Sequence, residues 1–267
     1  MAVNGIHLQA SLFAMLICQS IFAADSAGMA QGGRPAAPAS VARIAPRDLT
    51  GLWSPAGLSG VSPTGITTSP PTKLGRQMME DNKPGDGPRR VTDIGEINDP
   101  HTTVCDPNGF PRMLLFEFRQ VQIVQTPNQI LMLYSYDQRW RSIWMDGRKL
   151  PATPSPRWFG YSVGRWENDS TLVVETNGTT ERSWLDNAGN PHSADMRVTE
   201  RYTRIDADNM ELTVTIDDPV SYTTPFNARD KLKLQRLPAD TMPQELVCVS
   251  SDAASYQQIM SAPALSK

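Results

Sequence analysis

Basic runs are missing from this chain. No Lys/Arg run among its 267 residues is longer than a pair such as Arg89-Arg90, and the formal net charge is -3. A nucleic-acid partner needs a phosphate-neutralising patch, so none is expected. Histidine and cysteine are scarce, with three of each. No H-x-x-x-H or C-x-x-C pairing occurs, and a zinc site would have to be assembled from scattered carboxylates, so no metal is expected. A Gly-x-Ser-x-Gly elbow is also lacking, which argues against an α/β-hydrolase. Neither alternating βαβ units nor a glycine-rich nucleotide loop is present, and no cofactor is expected.

Long apolar runs are absent beyond the amino end. There, Ala10 to Cys18 and Ile21 to Ala24 form an apolar stretch ending in small residues, the pattern of a secretory signal over residues 1–24. Its first residues carry no Lys or Arg, only His7 and the amino terminus, so a buried helix or short anchor is the alternative. Cleavage fits after Ala23, Ala24 or Ala30. Lipidation at Cys18 is rejected because Ile17 stands where a small residue is required and the apolar run continues. No other run approaches the ~20 residues of a membrane span, so the mature chain is expected to be soluble, periplasmic or secreted. Removing Cys18 leaves Cys105 and Cys248, an even pair in an exported chain, and a disulfide between them is the natural reading. It would tie the start of the barrel region to its last strand. Two free buried thiols are the alternative.

What the sequence does hold is turn chemistry. It has 22 Pro and 18 Gly with a hydrophobic fraction of 39%, a loop-rich globular composition. Residues 25–47, rich in Ala, Gly, Pro and Ser, read as a flexible linker. A single domain is expected over 48–250, followed by a tail, 251–267, that is weakly helical at best. Asp48-Leu-Thr-Gly-Leu-Trp53 opens the folded part. Its Gly-x-Trp resembles the opening signature of lipocalin-like barrels, where the Trp plugs the barrel base, and it equally fits an ordinary core Trp. Ser54 to Pro111 is a long Pro- and Gly-bearing excursion that forms a lid or site wall, or covers a sheet edge.

Strand candidates follow at Met113–Phe118, Arg119–Gln125, Gln129–Tyr136 and Gln138–Met145. A Pro-rich crossing from Leu150 to Pro156 leads to two hairpins. Gly160–Trp166 and Thr171–Thr176 flank the polar turn Glu167–Ser170. Met196–Ile205 and Met210–Asp217 flank Asp206–Asn209. In the last of these, Met210, Leu212, Val214 and Ile216 share one face, while Glu211, Thr213, Thr215 and Asp217 share the other. Phe226–Leu237 and Glu245–Val249 complete the series. Roughly ten short strands with local connections predict an all-β, antiparallel up-and-down (lipocalin-like) barrel with a long irregular N-terminal excursion, a two-sheet sandwich being the runner-up.

The loop Trp184–Ser193 carries an acid, an imidazole and a hydroxyl. Asp186 could orient His192 as a general base, with Glu200 and Arg201 on the next strand, although the loop is also ordinary turn composition. Asp146 and Arg148, with Arg139 and Arg141 on the preceding strand, could clamp a carboxylate or form a solvated face. Tyr134, Tyr136, Trp140, Trp144, Trp158 and Trp166 could line an apolar cavity or fill the core.

The runs Ile143–Arg148, Gly160–Thr176, Trp184–Ser193, Glu200-Arg201 and Asp217-Asp-Pro219 together resemble a group of exported bacterial proteins. The likeness spans about Gly51 to Cys248. Where this chain has Asn168 and Glu175 the group more often has Gly and Asp, which leaves turn and strand intact and argues against a fixed role for Glu175. The resemblance implies fold and compartment and carries no activity. The expected function is therefore binding of a small hydrophobic or aromatic molecule. The alternative is a cofactor-independent lyase, isomerase or hydrolase using His192, Asp186 and Arg148 or Arg201.

Overall fold

The computed structural model describes residues 45–57, 65–116 and 118–261. The expected signal segment and nearly all of the expected linker lie outside these residues. Nine strands close into a barrel: β1 (Gly51–Pro55), β2 (Val121–Gln125), β3 (Gln129–Tyr134), β4 (Arg139–Trp144), β5 (Tyr161–Trp166), β6 (Thr171–Asn177), β7 (Arg197–Arg204), β8 (Asn209–Asp217) and β9 (Phe226–Arg236). Each pairs with its neighbour in sequence, and β1 closes the ring against β9. The all-β, up-and-down expectation holds.

Closure of an odd number of strands has a geometric consequence. Nine strands cannot alternate direction all the way round, so one neighbouring pair must run parallel. That pair is β4 and β5, joined in register only at Ile143 with Ser162 and Trp144 with Val163. A parallel pair cannot be joined by a tight turn, and the Pro-rich crossing between the two strands supplies the necessary length. The neighbouring antiparallel pair β5 and β6 is registered from Tyr161 with Asn177 through Trp166 with Leu172. The barrel wall is therefore thinnest at the β4–β5 seam.

Period-two alternation decides what lies inside. Met210, Leu212, Val214 and Ile216 of β8 are buried, as are Val198, Glu200, Tyr202 and Arg204 of β7. With Ile123, Ile130, Met132, Tyr134, Ile143, Leu172 and Val174, they fill the interior with packed side chains. Trp53 is fully buried and donates its indole N–H to the Leu49 carbonyl at 2.8 Å. The Arg204 guanidinium lies 5.2 Å above its ring and donates to the carbonyls of Asp206 and Ala207, sealing the Trp from solvent.

Four α-helices and one 3-10 turn (Ile94–Glu96) complete the described chain: α1 (Lys73–Asp81), α2 (Pro100–Val104), α3 (Arg112–Leu115) and α4 (Ser250–Ser261). Two expected strands are corrected here. Met113–Phe118 begins as α3, whose Met113, Leu114 and Leu115 are all buried; a short unbroken apolar run has no period to distinguish strand from helix. Glu245–Val249 makes only an isolated bridge, Leu246 with Tyr136, and the tail beyond it, expected to be weakly helical at best, carries the 12-residue helix α4.

The excursion packs on the β8–β9 connection, through α1, and on the loop between β6 and β7. Gly75 of α1 sits so close to the backbone of Ser221 that a Cβ would lie 2.0 Å from its carbonyl oxygen. Arg89 donates to the Ala188 carbonyl at 2.8 Å, Asn82 to that of Gly189 at 3.0 Å, and the Ile66 N–H to Asp186 at 2.7 Å. Among the described residues the excursion is thus a structural cover for this loop. The disulfide Cys105–Cys248 is present and joins the C-cap of α2 to the segment leading into α4, not to the last strand, which ends earlier at Arg236.

Candidate functional site

The candidate site is a cleft of about 520 Å³ at the β4–β5 seam. Trp140 and Trp144 come from β4, Trp158 and Phe159 from the crossing, and Tyr161 from the start of β5. The sequence explains the opening. β4 and β5 share only the short parallel register at Ile143 and Trp144, so the Trp140 end of β4 has no partner on the β5 side. Trp140 remains 63% exposed, an unusual cost for so large an apolar surface.

Cations hold the aromatic walls. Arg148 stacks 3.5 Å from the Trp144 ring centre while Asp146 grips it with two oxygens, at 2.9 and 2.6 Å. Arg182 lies 5.0 Å above Trp158 and pairs with Asp106 at 2.6 Å. Arg157 lies 4.4 Å above Tyr161. Each stack orients a ring by attraction between the guanidinium and the π face.

Arg141 lines the cleft and continues into the barrel. Its Nη2 donates to Glu200 at 2.5 Å, and the other Glu200 oxygen accepts from the Tyr202 hydroxyl at 2.6 Å. The guanidinium also lies 4.1 Å over Phe110, and its Nε and Nη1 have no hydrogen-bond acceptor among the described residues. Burial pushes the Tyr134 and Tyr202 hydroxyls above the usual phenol range, with the Glu200 charge acting in the same direction, so both remain protonated donors. Burial works against the charge on Arg141, but Glu200 overrides it and keeps the guanidinium protonated.

The expected aromatic group divides. Trp140, Trp144 and Trp158 meet in the cleft. Tyr134 is a core residue, packed edge-on against Phe118 with ring centres 6.4 Å apart. Tyr136 bonds His101 Nε2 at 3.0 Å, and Trp166 packs against the barrel core. Arg148 stands behind Trp144 at the rim.

The expected catalytic group is not assembled. Asp186 does not orient His192. Its carboxylate accepts from the N–H groups of Ile66, Ala188 and Asn190 and from the Asn190 amide. His192 is placed with Nδ1 against the Ser193 carbonyl at 3.2 Å and Nε2 against the Ser183 hydroxyl at 3.1 Å. Ser193 in turn gives both its N–H and its hydroxyl to Asp218, at 2.7 Å each. Burial lowers the His192 basicity, leaving a neutral ring with Nδ1–H donating to the carbonyl. His192 and Asp186 are both buried, Asp186 directly beneath Ile66 of the excursion. Glu200 lies inside the barrel, whereas Arg201, its neighbour on β7, points outward and pairs with Glu167. Alternation along a strand separates them by construction.

Arg157 and Tyr161 were not singled out in the sequence. The available signal is the cluster Arg157-Trp-Phe-Gly-Tyr161 directly after the Pro-rich crossing, three aromatics and a cation within five residues leading into β5. The described residues contain no group of three or more His, Cys, Asp or Glu side chains placed to hold a metal ion. Comparison with known proteins finds no matching family model, no matching curated protein and no matching solved structure.

Proposed function

We propose that this chain is an exported, small-molecule-binding barrel that takes its ligand in the aromatic cleft at the β4–β5 seam and not in the barrel lumen. The observation that carries the reading is the contrast between two spaces. The interior is filled by side chains and a buried ion pair, whereas the seam holds an open cleft of about 520 Å³ walled by Trp140, Trp144 and Trp158. That volume falls in the range of small-molecule sites. Trp144 and Trp158, already fixed by stacked guanidiniums, lose little further freedom on binding, which favours affinity. The separation of His192, Asp186 and Arg201 supports binding over catalysis.

Export is supported by the apolar, small-residue amino end and by the Cys105–Cys248 disulfide, a bond that persists in oxidising compartments. No helix among the described residues is long and apolar enough to cross a membrane. The test is a titration of the purified chain with naphthol, read by quenching of tryptophan emission. Trp140→Leu and Trp144→Leu should each weaken binding about tenfold, the loss expected for an aromatic contact of ~1.5 kcal/mol. Unchanged affinity in both variants would place the ligand elsewhere.

A further inference from the structure

We infer that the cleft selects a planar aromatic carboxylate, with its ring among the tryptophans and its anionic group on Arg157; this rests on the cleft being the binding site. The residues lining the cleft include Arg139, Arg141 and Arg157 and no Asp or Glu, although the Arg141 side chain itself is buried toward the barrel interior. The three cations are not equivalent. Arg139 is paired with Asp137 at 3.0 Å and Arg141 with Glu200 at 2.5 Å. Arg157 has no carboxylate within ion-pair reach among the described residues, and its guanidinium meets only the Tyr161 ring. The cleft therefore holds one positive charge more than its paired carboxylates neutralise.

Arg157 is also well placed to use that charge. Its own N–H donates to the Gly178 carbonyl and its carbonyl accepts from Thr180, both at 2.9 Å, so its backbone is pinned to the strand end beside it. Its guanidinium spends a face on Tyr161, which leaves the in-plane N–H edge for a ligand. That edge is a planar fork matching a carboxylate. A neutral aromatic ligand would bury part of Arg157 without an acceptor, and a cationic one would add like charge beside it. An aromatic anion satisfies the rings and the cation together.

The experiment uses the folded, disulfide-bonded chain and three probes of one shape: naphthoate, naphthamide and naphthamidine, respectively anion, neutral and cation. Calorimetric affinities should rank in that order, with naphthoate about tenfold or more tighter than naphthamide, as a hydrogen bond to a charged group implies. Arg157→Gln should bring naphthoate down to the naphthamide value and leave naphthamide within twofold. Trp144→Leu should weaken all three. Added salt should weaken naphthoate alone. Equal affinities for the three probes, or tightest binding of naphthamidine, would overturn the charge selection while leaving the cleft as the site. Tryptophan-independent binding, or none, would overturn both.

Discussion

Glu200 and Arg141 meet at 2.5 Å inside the barrel, and both side chains are almost wholly buried. The pair spans the interior from β7 to β4 and reaches the cleft wall through Arg141. Taking two charges out of water is costly, and mutual attraction offsets the cost only while both are present. Arg141→Met or Glu200→Leu alone should therefore destabilise the fold by about 3–5 kcal/mol, because each leaves a buried charge unpaired. The double variant should cost less than either single one. Urea midpoints of the four proteins give the coupling directly, and additive losses would show that the pair is screened by solvent.

Acid should weaken this protein in two stages. His101 places Nδ1 against the Asp106 carbonyl at 2.7 Å and Nε2 against the Tyr136 hydroxyl at 3.0 Å, and His192 is held in the same way by Ser193 and Ser183. Burial lowers the pKa of both rings, with Arg112 adding to the effect at His101. The native state thus binds fewer protons than the unfolded chain once pH falls below the ordinary histidine value of 6.5. Stability is full above that value and falls below it, by up to about 1.4 kcal/mol per pH unit for each ring. A second stage follows from Asp99. Burial alone would raise its pKa, but the two bonds from Arg112 override burial and hold it below the ordinary 3.8. Its contribution is present above that value and is lost as pH falls through the depressed native value. Urea midpoints measured from pH 8 to pH 5 should fall less steeply in His192→Gln; an identical slope would mean that the buried ring does not titrate with folding.

The sequence made most of the barrel readable, because half-buried strands write their inward face at every second position. Met210 to Ile216 shows this without ambiguity, and Val198, Glu200 and Tyr202 follow the same rule. The same alternation puts Glu200 in the core, between Val198 and Tyr202, and on the opposite face from Arg201, a separation that grouping the two as site residues overlooks. The parallel seam was not visible locally, since no residue between Trp144 and Tyr161 announces strand direction; it follows only from the parity of the closed ring. The loop around His192 misled for a different reason. An acid, an imidazole and a hydroxyl close in sequence suit a catalytic group, and they equally suit a tight polar loop satisfying its own backbone. Only the cover supplied by the distant excursion decides between the two.

Asp186 is such a satisfying group. Its two oxygens accept four donors, one of them the Ile66 N–H of the excursion. Asp186→Ala should cost about 3 kcal/mol or more, since several hydrogen bonds to a charged acceptor are lost in a buried site. The excursion should loosen first, seen as faster hydrogen exchange at Ile66 and Ala188. His192→Gln should fold and keep naphthoate affinity within twofold. Lost binding in a folded His192 variant would return that residue to the site.

The Cys105–Cys248 bond closes a loop of 143 residues, yet the barrel is complete at Arg236, before Cys248 is reached. What the bond fixes locally is the run that carries the Leu246 bridge to Tyr136 and the start of α4. Its larger effect falls on the unfolded chain, whose freedom it restricts by about 4–5 kcal/mol in the chain-entropy account. A Cys105→Ala, Cys248→Ala double variant should accordingly lose stability of that order while its far-ultraviolet strand signal persists. Hydrogen exchange should rise over residues 246–256 and stay unchanged in β6 to β8. The cleft, built from β4, the crossing and β5, should keep its ligand affinity. Loss of the strand signal together with the bond would mean that the disulfide, rather than ring closure by β1 and β9, holds the barrel shut.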